Sequence, residues 1–139
     1  MLSKSCLLCR DAGGTVLLRT EAWRIVLALD EPLYPGLCRV IWNAHVRELT
    51  DLEPTACTEL LQALVRTERA LRQVLKPVKV NLASLGNVTP HLHWHVVPRR
   101  EDDAHFPNAI WGPERRKAMP PPLAAETIAA LKTALEQRT

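Results

Sequence analysis

Three histidines, His91, His93 and His95, stand on alternate positions of the apolar run "PHLHWHVVPRR" from Pro90 to Arg100. In an extended chain residues two apart share a face, so the imidazoles line one side while Leu92, Trp94 and Val96 line the other. The apolar set suits a core. Charged residues would serve solubility on the opposite face equally well, so three imidazoles there point to binding or catalysis. Imidazole offers two chemistries. It ligates metals, but three rings on one strand spread over ~13 Å at ~3.3 Å per residue, too far for one tetrahedral ion. It also attacks phosphorus, being largely neutral near pH 7, provided its second nitrogen is held so that the tautomer is correct. His93, flanked on both sides, is best placed to be so held, and a division of labour among the three is expected.

A second group with chemical potential is Cys6-Leu7-Leu8-Cys9. Four cysteines could form two disulfides by count alone, but in a reducing cytosol the close pair reads better as a metal or redox site. Cys38 and Cys57 lie in apolar surroundings and read as small core residues.

The elements that must position these groups are legible from local pattern. Gly13-Gly14 makes a turn, after which Thr15 to Thr20 and Trp23 to Leu29 form a hairpin, and Leu37 to Trp42 follows the proline-containing loop Asp30 to Gly36 as a third strand. From Pro54 to Leu75 the spacing of Leu60, Leu61, Leu64, Leu71 and Leu75 predicts a long helix, with Pro54 suited to its first turn and Pro77 just past its end. Val78 to Leu85 and His91 to Pro98 then read as strands joined through a turn at Gly86-Asn87, and an amphipathic helix on Ile128, Leu131 and Leu135 spans about 122–137.

At 139 residues the chain fits one domain, 1–139, with one site that a second subunit could share. A composition of 47% hydrophobic and 24% charged residues is that of a soluble globular protein, and no apolar stretch nears the roughly 20 residues of a membrane span. The segment Met1 to Arg10 is too polar for a signal peptide, so a cytoplasmic location and no membrane partner are expected. A net charge of +3, with the basic residues scattered apart from Arg99-Arg100 and Arg115-Arg116-Lys117, argues against nucleic acid as a partner and leaves small anions open.

The run His91-Leu92-His93-Trp94-His95-Val96-Val97, taken with Cys6-x-x-Cys9, Asn81, Gly86-Asn87 and Pro98-Arg99, resembles the histidine triad (HIT) superfamily over about residues 6–111. The resemblance implies an α+β fold, a five-stranded antiparallel sheet with one main helix and a C-terminal helix, paired as a homodimer. It implies a nucleotide hydrolase or nucleotidyl transferase in which His93 attacks the α-phosphorus of a purine nucleotide conjugate, a phosphoramidate, acyl-nucleotide or dinucleoside polyphosphate. His95 would bond a phosphate oxygen or the bridging atom. Asp30 would hold the ribose hydroxyls, although a turn aspartate before Glu31-Pro32 is the plain alternative. Asn81, Gly86, Asn87, Val88 and Thr89 would contact the phosphate, the last four by backbone amides and the Asn87 side chain. In one branch of the superfamily a structural zinc is bound at positions that here are Cys6, Cys9, His45 and His91, a ligand set that suits a tetrahedral ion. The chain departs from better-known members at Val88, where a serine or threonine assists the leaving group, at Asn87 for glutamine, at Leu37 for histidine, and in a hairpin one residue shorter. A nucleotide-binding regulatory module with little turnover, and a mononuclear zinc hydrolase, are the rival readings.

Overall fold

The computed structural model describes residues 3–137. Five antiparallel strands, β1 (Thr15–Arg19), β2 (Trp23–Leu27), β3 (Cys38–Trp42), β4 (Lys79–Ala83) and β5 (His93–Arg99), form one sheet in the order β1-β2-β3-β5-β4. A single helical turn, α1 (Leu7–Arg10), precedes the sheet, α2 (Pro54–Leu75) links β3 to β4, and α3 (Ala125–Glu136) ends the described chain. The expected α+β architecture is therefore present. No helix among the described residues is long and apolar enough to cross a membrane.

One face of the sheet carries the main core. Leu60, Ala63, Leu64, Ala70 and Leu71 of α2 pack on Ile25, Val40, Leu92 and Val96, and α3 adds Leu131, Ala134 and Leu135. Pro54 opens α2, where its missing N–H costs nothing, and Lys76 ends it in the left-handed conformation at φ 52°. Leu61, placed on the buried stripe by its spacing, is exposed, because the apolar face of α2 is centred on Leu60, Ala63, Leu64 and Leu71. Cys38 is buried as expected, whereas Cys57 near the start of α2 is only half-buried.

Two smaller clusters cover the other face. Cys6 and Leu8 pack on Val26 and Ile41 at one end, while Tyr34, Leu37, Val97 and Ile110 pack together at the other. The second cluster is held by an ion pair: Arg99 donates to both carboxylate oxygens of Asp103 at 2.8 and 2.9 Å, and both residues are buried. Asp103 also accepts from the backbone N–H groups of Arg100, His105 and Phe106. Burial alone would raise its pKa; these donors more than offset that and hold it well below the usual carboxylate range.

Strand limits differ from expectation by two residues at three places and by one residue at four others. β2 ends at Leu27 rather than Leu29, β4 ends at Ala83 rather than Leu85, and β5 starts at His93 rather than His91. The last shift matters chemically. His91 donates its N–H to the Thr89 carbonyl and Leu92 donates to the Val46 carbonyl, so the backbone is drawn off the ladder before it enters β5.

Candidate functional site

Because His91 precedes the strand, its ring leaves the row formed by His93 and His95 and joins Cys6, Cys9 and His45. These four side chains each bring one ligand atom to within 4.8 Å of the others. The Cys6 Sγ to His91 Nδ1 distance is 3.3 Å, Cys9 Sγ lies 3.3 Å from His45 Nδ1 and 3.5 Å from His91 Nδ1, and the two Nδ1 atoms are 3.3 Å apart. In a tetrahedral site with Zn–S ~2.3 Å and Zn–N ~2.05 Å, sulfur and nitrogen ligands stand about 3.6 Å apart and two nitrogens about 3.3 Å apart. The observed spacings fit that figure. The tautomer fits as well: His91 Nε2 lies 2.6 Å from the Trp42 carbonyl, which can only accept, so Nε2 carries the proton and Nδ1 turns a bare lone pair to the cluster.

Arg24, absent from the sequence-based candidates, anchors this corner. The residue is 4% exposed, and its guanidinium donates to the carbonyls of Leu8, Asp11 and Ala12 and to the Asn43 side chain. It thereby ties the cysteine-bearing turn to β2. A charged residue between two apolar neighbours in an otherwise buried strand was the available signal.

His93 and His95 remain on the sheet face, each 8% exposed, with ring centroids 5.1 Å apart in an edge-to-face arrangement. They line a cavity of about 730 Å³ with Asp30, Arg39, Gly86, Asn87, Val88, Thr89 and Trp111. The His93 Nδ1 sits 2.6 Å from the His91 carbonyl, so the proton is on Nδ1 and the Nε2 lone pair is unprotonated. Burial pushes the His93 pKa down despite that bond, which keeps the ring neutral and nucleophilic. The single turn of chain before β5 thus does two jobs with one residue, His91: its ring joins the Cys/His cluster and its carbonyl fixes the tautomer of His93.

His95 is arranged in the opposite sense. Arg39 on β3 lies across from it in the β3/β5 ladder and donates Nε–H to its Nδ1 at 3.4 Å. An arginine only donates, so the proton of neutral His95 is on Nε2. Burial, then His93 and Arg39, bring its pKa down to about 4. Arg39 also pairs with the Asp30 carboxylate at 2.8 Å, which lowers the Asp30 pKa. Trp111 stands edge-on to His95 at 5.1 Å.

The structure therefore gathers Asp30, Gly86, Asn87, Val88 and Thr89 around His93 and His95, and separately gathers the four Cys/His residues. It does not bring Asn81 to them. Asn81 shares the histidine face of the sheet, but its side-chain oxygen accepts from Arg99 at 2.8 Å and it lines a different hollow, with Val97 and Ile110. Arg39 was missed, although a lone charge within "LCRVIW" marked it.

Comparison with known proteins agrees with this geometry. The family model described as HIT domain matches residues 11–102. An AP-4-A phosphorylase of Mycobacterium tuberculosis is 35% identical over 108 residues, covering 73% of this chain and 55% of the relative. An asymmetrical bis(5′-nucleosyl)-tetraphosphatase of Schizosaccharomyces pombe is 28% identical over 96 residues, covering 66% of this chain and 52% of the relative. The chain thus spans about half the length of the curated relatives it matches. Among solved structures, a histidine triad protein from Bradyrhizobium japonicum superimposes with a TM-score of 0.73 at 26% identity, covering 89% of this chain and 92% of the other. A Zn-bound histidine triad family protein from Mycobacterium smegmatis does so with a TM-score of 0.70 at 26% identity, covering 94% and 93%. With the family model matching most of its length and the paired histidines held in complementary tautomers, the chain belongs to the HIT domain family.

Proposed function

We propose that this chain cleaves a purine nucleotide conjugate at its α-phosphorus through a covalent nucleotidyl-histidine on His93. The observation that carries this is the His93 Nδ1 bond to the His91 carbonyl, which leaves Nε2 as an in-plane lone pair facing the cavity. Once Nε2 bonds phosphorus the ring becomes cationic, and the same carbonyl then accepts from a more acidic N–H. The backbone around Gly86 to Thr89 and the Asn87 side chain supply donors to phosphate oxygens, and transition-state charge is stabilised without reorganisation. Asp30 retains a carboxylate edge for ribose hydroxyls while pairing with Arg39. The names of the two curated relatives, which both concern dinucleoside tetraphosphates, support this substrate class. Asn81 acts on the phosphate side only if Arg99 releases it.

The Cys6, Cys9, His45 and His91 cluster would hold zinc, and with four protein ligands the ion would be structural, pinning the N-terminal turn beside the strand. A homodimer in the cytoplasm, occupying 1–139 as one domain, completes the reading, with no nucleic acid or membrane partner. A regulatory module that binds nucleotide with little turnover is favoured by one observation, the 96% exposed, hydroxyl-free Val88.

The test is a brief incubation with diadenosine tetraphosphate or an adenosine 5′-phosphoramidate, quenched at alkaline pH and read by intact mass spectrometry. A transient gain of one AMP, absent in His93→Ala, is expected. Nucleotide binding with no adduct and no AMP release would favour the regulatory reading instead.

A further inference from the structure

Among the described residues the site contains donors but no group arranged to give up a proton. In the transfer step the His93 Nε2–P bond forms and the bond from phosphorus to the leaving atom breaks, with its electron pair departing on that atom. An amine must gain a proton as it leaves, whereas a phosphate or carboxylate departs as a stable anion. His95 is the residue beside His93, and its state therefore decides which leaving groups the site accepts.

We propose that Arg39 is a positioning residue that holds His95 as the neutral Nε2–H tautomer, and so makes this site selective for leaving groups that depart as anions, such as polyphosphate, over amines. The inference rests on the nucleotidyl-transfer reading above. Its basis is geometric: Arg39 Nε–H points at His95 Nδ1 at 3.4 Å, and a second proton on that nitrogen would face the guanidinium. Neutral His95 donates a hydrogen bond from Nε2, but surrendering its only proton would leave an imidazolate, which is inaccessible near neutral pH. The other groups facing His95 do not replace the missing acid. His93 has its proton committed to the His91 carbonyl, and Trp111 meets the ring edge-on. Asp30 is paired to Arg39 at 2.8 Å and Glu31 lies 3.7 Å from the same guanidinium. Val88 carries no hydroxyl that could pass a proton to the leaving atom. What the site offers instead is cationic Arg39 and a fixed N–H, which stabilise negative charge on a departing phosphate.

Two measurements test this. The first is kcat/KM for diadenosine tetraphosphate and for adenosine 5′-phosphoramidate, in the wild-type protein and in Arg39→Met. Taking the ratio within one sample cancels any loss of folded protein. The wild type should favour the tetraphosphate by roughly 100-fold or more, and Arg39→Met, which frees His95 Nδ1 to take a proton, should narrow that ratio by about 10-fold or more. Wild-type preference for the phosphoramidate, or a ratio unchanged by Arg39→Met, would overturn the proposal. The second is ¹⁵N spectroscopy of histidine-labelled protein near pH 7, with His95→Asn for assignment, which needs no turnover. His95 should carry its proton on Nε2 and His93 on Nδ1; a doubly protonated His95 or one protonated on Nδ1 refutes the role given to Arg39. Absence of turnover and adduct on both substrates would instead sink the nucleotidyl-transfer reading, while the spectra still report on Arg39 and His95.

Discussion

Replacing Asp103 by alanine should cost more than any other single change outside the main core. The carboxylate accepts from Arg99 Nε and Nη2, from three backbone N–H groups and from the Tyr34 hydroxyl at 3.3 Å, and it is 7% exposed. Removing it leaves the Arg99 guanidinium buried with the Asn81 oxygen and the rings of Tyr34 and Phe106 as its remaining company. Breaking a buried pair by deleting one partner costs about 3–5 kcal/mol. A fold of this size is stable by about 5–15 kcal/mol, so Asp103→Ala should lower Tm by roughly 10–20 °C. Arg99→Met should cost less, because Asp103 keeps its backbone donors. The pH dependence has a definite sign: the folded-state pKa of Asp103 is depressed, so its contribution is fully present above about 3.9, the unfolded value, and is lost as pH falls below it. Asp103→Asn should lack that acid decline. Urea unfolding of the three variants at pH 7 and of Asp103→Asn at pH 3 gives the numbers. A loss under about 1 kcal/mol for Asp103→Ala, or a larger loss for Arg99→Met, would refute the reasoning.

Three further outcomes follow from the geometry. Cys9→Ser and His45→Ala should each reduce bound metal, measured by plasma mass spectrometry, and metal removal by a chelator should lower Tm while leaving the protein able to rebind zinc; a chelated protein with unchanged Tm would count against a structural ion. As pH falls from about 6.5 toward 4 the unfolded chain protonates the histidine at position 95 while the folded chain does not, so stability declines over that window, and the decline in urea midpoint should be smaller in His95→Gln. Gly14→Ala should destabilise by roughly 2 kcal/mol or more in the same assay, since Gly14 has φ +152° and an added methyl would strike the Leu27 carbonyl.

Local pattern carried a large part of the architecture. The 3.6-residue spacing of leucines between two prolines predicted a helix from Pro54 to Leu75, and α2 has those limits. Alternation placed Trp94 and Val96 toward α2 and His93 and His95 away from it, because a strand's side-chain period is fixed by the backbone alone. The short turn α1, the early ends of β2 and β4 and the late start of β5 were not legible in the local pattern; at β5 the Leu92 N–H goes to the Val46 carbonyl, a partner remote in sequence. Thr89 and Val46 decide where β5 begins.

By itself, then, the sequence determined which residue types could do chemistry here and that His93 and His95 would share one face of a strand, while His91, expected in the same row, precedes that strand. It also made available the four metal-type ligands, whose spacing along the chain is too wide for sequence to prove their convergence. Tertiary structure alone decided the protonation pattern, since the His91 carbonyl and Arg39 choose opposite tautomers for two neighbouring histidines. It decided too that Asn81 serves Arg99 while Arg39 serves Asp30 and His95. The physical reason is the same in each case. Hydrogen bonds are directional and short, so a polar side chain's role is fixed by the partner within reach: strand pairing brings Arg39 to His95, and the turn of chain before β5 brings the His91 carbonyl back to His93.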